Sequence, residues 1–265
     1  MIRIDAADDP RVAAFTRIRE RDLTSRDGCF IAEGEVVLTG LLQRSSFLIQ
    51  AVLLAERHEQ RLGAAVQAAT AAPVYLAGQQ TLDGIAGFPL HRGVLALCRK
   101  PEPVSAADLL GTAPADAVVA CAFGLSNHDN IGGLFRNAAA FGAHAVLLDG
   151  RCGDPFYRKA IRVSAGAALT TPHAVVEDEL DLIAGLKSAG FRLLALSPAG
   201  RSSLRQVRPA GRVALLLGAE GPGLSDAVMS RAETVRIEMA PGVDSLNVAT
   251  AAAVALHHLS GRVEA

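Results

Sequence analysis

The sequence predicts an α/β protein in which a small α/β domain precedes a larger domain with a mostly parallel sheet. Short, continuous apolar runs alternate with helical patterns in the C-terminal part, which is typical of parallel strands covered by helices on both faces. Polar and Gly-rich turns follow several of these runs, at the positions where such sheets bind ligands. The apolar runs lie at residues 117–123, 145–148, 193–196 and 213–217.

The first 100 residues have a pattern of their own. Residues 8–42 suggest helices around Cys29-Phe-Ile-Ala-Glu-Gly, and residues 48–54 and 74–76 are predicted strands separated by an Ala-rich helix. This order predicts the small α/β domain. Arginines cluster early in it, which is typical of a solvated helix face, with RNA contact as the alternative. The cluster consists of Arg17, Arg19, Arg21 and Arg26.

A Pro-containing segment separates the two patterns. Residues 101–116 hold three prolines among small residues, which is typical of a linker. We therefore expect an N-terminal domain at 1–100, a linker at 101–116 and a C-terminal domain at 117–265.

Composition excludes several classes of protein. Half of the 265 residues are hydrophobic and 20% are charged, as in an ordinary globular chain. No apolar run of about 18 residues and no signal-peptide pattern occur, so we expect a cytoplasmic protein that does not bind or span a membrane. The net charge of -1 lacks the overall basic character of a nucleic-acid binder, so any RNA site must be a local patch.

The cysteines and histidines indicate no metal site. The four cysteines are widely spaced, without a C-x-x-C pair, and we interpret them as buried thiols: Cys29, Cys98, Cys121 and Cys152. His257 and His258 end the last predicted helix, where they favour its dipole, and their spacing is not that of metal ligands.

Three polar or Gly-rich loops are expected to share one site. They lie at residues 127–133, 215–224 and 237–247, after apolar strands, and the carboxyl ends of parallel strands meet at one edge of a sheet. Neither G-x-G-x-x-G after the first strand nor G-x-x-x-x-G-K-[ST] is present. A nucleotide-binding oxidoreductase therefore fits the sheet but lacks the phosphate-binding fingerprint.

The motifs in these loops resemble those of a known family. Asn130-Ile-Gly-Gly-Leu-Phe-Arg136, Leu217-Gly-Ala-Glu220-Gly-Pro-Gly and the stretch Ile237 to Asn247 are similar, in order and spacing, to the three motifs of SpoU/TrmH-type RNA 2′-O-ribose methyltransferases. The similarity runs over residues 117–260. Residues 1–100 look, more loosely, like the family's substrate-binding domain, which is similar to small ribosomal RNA-binding proteins.

The resemblance implies the fold, the cofactor and the partners. It implies a SPOUT-type domain with a deep trefoil knot that holds S-adenosylmethionine, within a homodimer. It implies 2′-O-methylation of RNA, and the two-domain organisation favours ribosomal over transfer RNA. A catalytically inactive RNA- or ribosome-binding protein is the alternative from another class. The apolar helix that starts at Val248 is a candidate for the dimer interface.

The resemblance also assigns roles to individual residues. Arg136 is the first catalytic candidate, and we expect it to stabilise the developing alkoxide or a phosphate, because a guanidinium stays protonated. An ion pair between Arg136 and Glu220 is expected to hold that guanidinium. Asn130, Ser245 and Asn247 are the remaining catalytic or RNA-positioning candidates, and helix capping is the alternative for all three.

The cofactor is expected to lie against a second set of residues. Their backbone and apolar side chains match the family's cofactor site, and core packing is compatible with the same role. The set consists of Leu217, Gly218, Ile237, Met239 and Leu246. Arg158, Lys159 and Arg162 form a helical stripe for which phosphate contact and a solvated face are equally expected.

Overall fold

The protein divides into two compact units in a computed structural model that describes residues 1–16, 28–43 and 47–260. The N-terminal unit comprises Met1–Glu102 together with Phe156–Gly166, and the C-terminal unit comprises Pro103–Pro155 and Ala167–Ala265. A segment from the later part of the chain thus packs with the earlier part. The Arg17 to Arg26 cluster lies outside the described residues.

The N-terminal unit contains a mixed sheet with the strand order β1-β4-β3-β5-β2. Strands β1, β4 and β3 are mutually parallel, whereas β5 runs antiparallel to both β3 and β2. The strands are β1 (Ile2–Ile4), β2 (Cys29–Glu33), β3 (Ile49–Ala55), β4 (Val74–Ala77) and β5 (Val94–Arg99). The helices of this unit are α1 (Glu35–Leu42), α2 (Glu59–Ala69), α3 (Gln79–Ala86) and α6 (Arg158–Val163), with 3-10 helices at Pro10–Phe15 and Glu56–His58.

The predicted strand, Ala-rich helix and strand of this part are confirmed as β3, α2 and β4. Around Cys29 the outcome differs in detail, because the segment Cys29–Glu33 is itself a strand, followed by a helix from Glu35. Its apolar residues pair with β5 and are buried. Ile31 of β2 belongs to the apolar core of this unit, in which Phe15, Leu53 and Ile85 are fully buried.

The C-terminal unit contains a sheet of parallel strands in the order β10-β12-β9-β11-β6-β7-β8. The strands are β6 (Val118–Phe123), β7 (Ala145–Asp149), β8 (His173–Val176), β9 (Arg192–Leu196), β10 (Ser202–Ser203), β11 (Val213–Gly218) and β12 (Glu233–Arg236). The remaining helices are α4 (Ala106–Gly111), α5 (His128–Ala140), α7 (Glu179–Ser188), α8 (Asp226–Met229) and α9 (Val248–Ser260), with 3-10 helices at Ala167–Leu169 and Leu204–Gln206. The prediction of a mostly parallel sheet is confirmed.

The central strands are apolar because both faces of the sheet are covered. Every residue of β6 and β7 is buried, as continuous apolar runs predict for a parallel sheet.

Within the predicted linker 101–116, residues 106–111 form α4, whose N-terminus is capped by the Ser105 hydroxyl accepting from Asp108 N. Leu110 of α4 belongs to the apolar core of this unit.

Strand order brings the predicted site loops to one edge. The chain runs outwards from β6 through β7 to β8, returns to β9, and then inserts β11 between β9 and β6. Because all these strands are parallel, the loops that follow β6, β9, β11 and β12 leave from the same edge. None of the helices that the structure describes has the length and apolar character needed to span a membrane.

Candidate active site

The first site loop leads from β6 into α5. Asn127 caps this helix, and its side-chain oxygen accepts from Asp129 N at 2.8 Å. Asn130 is therefore not the cap that capping chemistry suggested for it, because it lies in the first turn of the helix. Its side chain is directed inward and the residue is only 3% exposed. A buried amide requires hydrogen-bond partners, and here they come from distant parts of the chain.

Asn130, Glu220 and Asn247 form one hydrogen-bonded cluster. Asn130 Nδ2 donates to Glu220 Oε1 at 2.7 Å, and Asn247 Nδ2 donates to Asn130 Oδ1 at 2.8 Å. Asn247 Nδ2 also approaches Glu220 Oε1 at 3.2 Å. One carboxylate oxygen thus accepts from two amides, which fixes the loops after β6, β11 and β12 relative to one another. We refer to these three residues as the amide–carboxylate cluster.

Asn247 also caps the last helix. Its Oδ1 accepts from Ala249 N at 2.9 Å and from Thr250 N at 3.3 Å, so the amide oxygen serves α9 while the amide nitrogen serves the cluster. Both interpretations of Asn247 are therefore compatible. Ser245 is exposed at the end of the same loop, and its hydroxyl forms no hydrogen bond within the described ranges 1–16, 28–43 and 47–260.

Arg136 lies apart from the cluster. It is exposed on α5, six residues after Asn130, which turns it by about 120° around the helix axis away from that side chain. Within the part of the chain that the structure describes, it forms no hydrogen bond or ion pair, so the predicted pair between Arg136 and Glu220 is wrong. Glu220 accepts from the two asparagine amides instead, and the guanidinium stays accessible to solvent.

The Gly-rich turn after β11 depends on close backbone contact. A Cβ on Gly218 would lie 2.2 Å from the carbonyl carbon of Gly223 and 2.3 Å from Leu224 N, so only glycine fits there. Gly223 N donates to Ala219 O at 3.0 Å, and Gly221 and Gly223 have φ angles of +87° and +72°. These left-handed conformations favour glycine and fold the turn back on the strand end.

A cavity of about 430 Å³ opens beside this turn at the carboxyl edge of the sheet. All five predicted cofactor residues line it, together with Glu220, Ser245 and Asn247. Arg136 is not among its lining residues. The cavity is also lined by Leu196, Ser197 and Pro198, which the motifs did not predict as site residues. A signal was available, because Leu196 ends the predicted apolar run and Ser197 and Pro198 directly follow it.

The cavity combines apolar walls with a polar end. Leu217, Ile237 and Met239 supply apolar surface, the glycines of the turn allow a ligand to approach backbone amides, and the cluster supplies a carboxylate. Its size falls within the range of about 300–1,000 Å³ that is typical of ligand pockets. The lining therefore suits a ligand that has both an apolar and a polar part.

The cysteines are free thiols, and burial distinguishes them. Burial raises the pKa of Cys98 to about 12 and also raises that of Cys121. Cys29 and Cys152 are only partly buried, so the expectation of four buried thiols is wrong for these two. Cys152 nevertheless has a pKa raised to about 12, mainly by desolvation.

The stripe on α6 also differs from expectation. Arg158 pairs with Glu33 and stacks over the Phe88 ring, 5.1 Å from its centroid, and its side chain is 13% exposed. All three residues belong to the N-terminal unit. Arg158 is thus part of a buried ion pair and not of a solvated face.

Comparison with known proteins matches this architecture to one family. Residues 117–257 match the SpoU rRNA Methylase family. An uncharacterized tRNA/rRNA methyltransferase of Mycobacterium bovis is 41% identical over 260 residues, which cover 94% of this chain and 88% of that protein. The 23S rRNA (guanosine-2′-O-)-methyltransferase RlmB of Ralstonia nicotianae is 32% identical over 76% of this chain and 83% of its own length.

Solved structures show the same fold along nearly the whole chain. The AdoMet-bound rRNA methyltransferase of Sinorhizobium meliloti superposes with a TM-score of 0.83 at 22% identity, over 99% of this chain and 98% of that one. A structure described as an RNA 2′-O ribose methyltransferase has a TM-score of 0.81 at 26% identity, over 97% and 98% of the two chains. The resemblance identified in the motifs is confirmed, and the chain belongs to the SpoU rRNA methylase family of RNA methyltransferases.

Proposed function

We propose that this protein transfers the methyl group of S-adenosylmethionine to a ribose 2′-hydroxyl of RNA, and that the RNA is ribosomal. The observation that carries the proposal is the amide–carboxylate cluster at the rim of the apolar cavity. It combines a ligand-sized cavity with polar groups held in place at one end. Family membership supports the methyl transfer, and the similarity to RlmB supports the ribose 2′-oxygen and ribosomal RNA.

The residues that line the cavity suit S-adenosylmethionine. Leu217, Ile237, Met239 and Leu246 offer apolar surface to an adenine ring, and the backbone beside Gly218 offers polar atoms at close approach. When bound, this cofactor supplies an electrophilic methyl group on a sulfonium sulfur. The protein's own contribution is to align the acceptor oxygen with that methyl group.

Arg136 is the proposed electrostatic catalyst. A guanidinium offers hydrogen-bond donors and no acceptor, so Arg136 stabilises negative charge on the acceptor oxygen or on a neighbouring phosphate and does not act as a base. The proton of the hydroxyl passes to a substrate phosphate or to water. The exposure of Arg136 and its lack of a partner within the described ranges leave all its donors for the RNA.

The remaining site residues position the substrate. Asn130 and Glu220 hold each other, and Asn247 ties them to the start of α9. Glu220 has a second carboxylate oxygen and Ser245 an exposed hydroxyl at the cavity, and both suit hydrogen bonds to a ribose. Because only RNA carries the 2′-hydroxyl, a site built around this group selects RNA over DNA by its chemistry.

The N-terminal unit is the proposed RNA-selecting domain, as predicted for residues 1–100. Its separate sheet and separate apolar core support a distinct role. We also propose that the C-terminal unit contains the family's trefoil knot and forms a homodimer. Support for the knot comes from the insertion of β11 between earlier strands and from Gly200, whose Cβ would lie 2.3 Å from the Val235 carbonyl carbon.

The proposal is tested by methyl transfer from radiolabelled S-adenosylmethionine to total RNA from cells that lack this protein. The RNA is fractionated by size and digested to locate 2′-O-methylated nucleosides. Label in ribosomal RNA supports the proposal, and label in transfer RNA replaces the substrate. Binding of the cofactor without label in any fraction, including intact ribosomal subunits, indicates a catalytically inactive binding protein. Tight binding of NAD without binding of S-adenosylmethionine overturns the cofactor assignment.

A further inference from the structure

A buried carboxylate that the proposed chemistry does not use lies at the end of β7. Asp149 is 1% exposed, and its Oδ1 accepts from Gly124 N at 2.9 Å and from Arg151 N at 3.1 Å. Its Oδ2 accepts from Arg151 Nε at 2.9 Å. Gly124 is the first residue after β6, in the loop that leads to Asn130. Asp149 therefore holds the start of the first site loop through a backbone amide.

The same carboxylate is connected to the second site loop. Arg151 contacts Glu179 Oε2 at 2.6 Å, and the other oxygen of Glu179 accepts from Ser225 Oγ at 2.7 Å. Ser225 follows the Gly-rich turn and caps α8 by accepting from Val228 N. We call Asp149, Arg151, Glu179 and Ser225 the Asp149 network. It joins the loop after β6 to the loop after β11.

Neighbouring residues strengthen the hold on the first loop. Leu125 N donates to Cys152 Sγ at 3.3 Å, and Gly153 N donates to Leu125 O at 2.9 Å. The turn after β7 thus contacts two successive residues of the first loop at their backbone. Side chains of residues 124 and 125 do not provide these contacts, so the position of the loop depends on the turn.

We propose that Asp149 is a positioning residue for methyl transfer, which sets the loops carrying Asn130 and Glu220 so that the amide–carboxylate cluster forms beside the cavity. The inference rests on the proposed function. Asn130 Nδ2 and Glu220 Oε1 are 2.7 Å apart. A displacement of either loop by about 1 Å would break the hydrogen bond between them. Asp149 touches neither residue and acts through the two loops.

Three variants test this role. Asp149→Ala removes every bond of the carboxylate, and Asp149→Asn keeps an oxygen for the Gly124 amide but loses the charged contact with Arg151. Arg151→Ala removes the link to Glu179 but leaves the buried Asp149 carboxylate its bonds from Gly124 N and from the backbone N of residue 151. The control is Glu233→Gln, which breaks the Arg192–Glu233 pair at the amino-terminal ends of β9 and β12, on the opposite edge of the same sheet.

The first readout is the single-turnover rate of methyl transfer at saturating RNA and S-adenosylmethionine, corrected for the folded fraction. We expect the rate to fall about 100-fold for Asp149→Ala and about tenfold for Asp149→Asn, since small misplacements of reacting groups have effects of this size. Arg151→Ala should fall between wild type and Asp149→Asn, and Glu233→Gln should match wild type. The affinity for S-adenosylmethionine should change less than the rate. Rates equal to wild type in all folded Asp149 variants overturn the inference.

The second readout is amide hydrogen exchange, which needs no activity. In Asp149→Asn and Arg151→Ala, residues 124–130 and 219–225 should both exchange faster than in wild type and in Glu233→Gln. Faster exchange confined to residues 124–130 contradicts the connection between the loops and overturns the inference. If wild type methylates no RNA, the proposed function fails, and the exchange data still decide whether Asp149 holds the two loops.

Discussion

Asn130 donates a 2.7 Å hydrogen bond from its buried side-chain amide to Glu220, ninety residues later in the chain. The bond joins the helix after β6 to the turn after β11. Asn247, from a third loop, donates to both residues. Two amides thus hold the same oxygen of a carboxylate that is otherwise exposed. The polar end of the cavity is therefore set before any ligand arrives, which is the condition for precise positioning of a substrate.

Removal of the Glu220 carboxylate should affect stability as well as activity. Glu220→Ala leaves the Asn130 amide buried without its acceptor, which costs about 1–3 kcal/mol of the free energy of unfolding. Glu220→Gln keeps an oxygen acceptor and should stay within about 1 kcal/mol of wild type. Both variants should lose methyl transfer. Urea unfolding and single-turnover assays measure the two effects, and a fully active, fully stable Glu220→Ala protein would contradict the role of the cluster.

Replacement of Arg136 should separate catalysis from stability. Arg136 is exposed and unpaired within the described ranges, so Arg136→Ala should change the free energy of unfolding by less than about 0.5 kcal/mol. Loss of its charge should lower the methyl-transfer rate by about 10²–10³-fold. Arg231→Ala is the control, since Arg231 is also exposed in the C-terminal unit and, within the described ranges, its side chain donates only to the Ala227 carbonyl. Unchanged methylation by Arg136→Ala would remove it from the catalytic residues.

A methyl group on Gly218 should distort the turn beside the proposed cofactor site. The added Cβ in Gly218→Ala meets the backbone of Gly223 and Leu224 at 2.2–2.3 Å, so the turn must move. We expect weaker binding of S-adenosylmethionine by calorimetry and a loss of about 1–3 kcal/mol of stability. Gly111→Ala is the matched control, because no atom lies within 4 Å of its Cβ position. Wild-type affinity in Gly218→Ala would place the cofactor elsewhere.

The ion pairs Glu33–Arg158 and Glu35–Arg61, whose glutamates are two residues apart, should differ strongly in their contribution to stability. Glu33→Gln leaves Arg158 buried without a counter-charge, and we expect a loss of about 3–5 kcal/mol. Glu35→Gln breaks the exposed pair with Arg61 and should cost less than about 1 kcal/mol. Urea denaturation of both proteins gives the comparison. Similar losses in the two variants would show that the burial of the Glu33–Arg158 pair has no energetic consequence.

Much of the fold follows from local sequence patterns. Continuous apolar runs predicted β6, β7, β9 and β11 to within about one residue at each end. The glycines at 218, 221 and 223 indicated a turn that needs close approach and positive φ angles, and both occur. The three motifs identified the family. These features depend on neighbouring residues, and neighbouring residues are what a sequence displays directly.

The partners of individual side chains were harder to predict. Arg136 and Glu220 carry opposite charges in adjacent motifs, yet Glu220 bonds two amides and Arg136 faces solvent. Asn130 is a typical capping residue, but Asn127 caps the helix because it stands one turn earlier. Phosphate contact and a solvated face were equally expected for Arg158, but its helix packs in the N-terminal unit, where the arginine pairs with Glu33. Residue type does not reveal which side of a helix is covered.

The sequence by itself determined the strands β3, β4, β6, β7, β9 and β11, the Gly-rich turns and the membership of the family, because each is encoded in short, contiguous patterns. Only the tertiary structure decided which side chains meet. The bond between Asn247 and Asn130 spans 117 residues, and the Asp149 network crosses three loops. Such contacts depend on the order in which strands join the sheet. Hydrophobic periodicity is the same for any order, since it records burial and not the identity of the neighbouring strand.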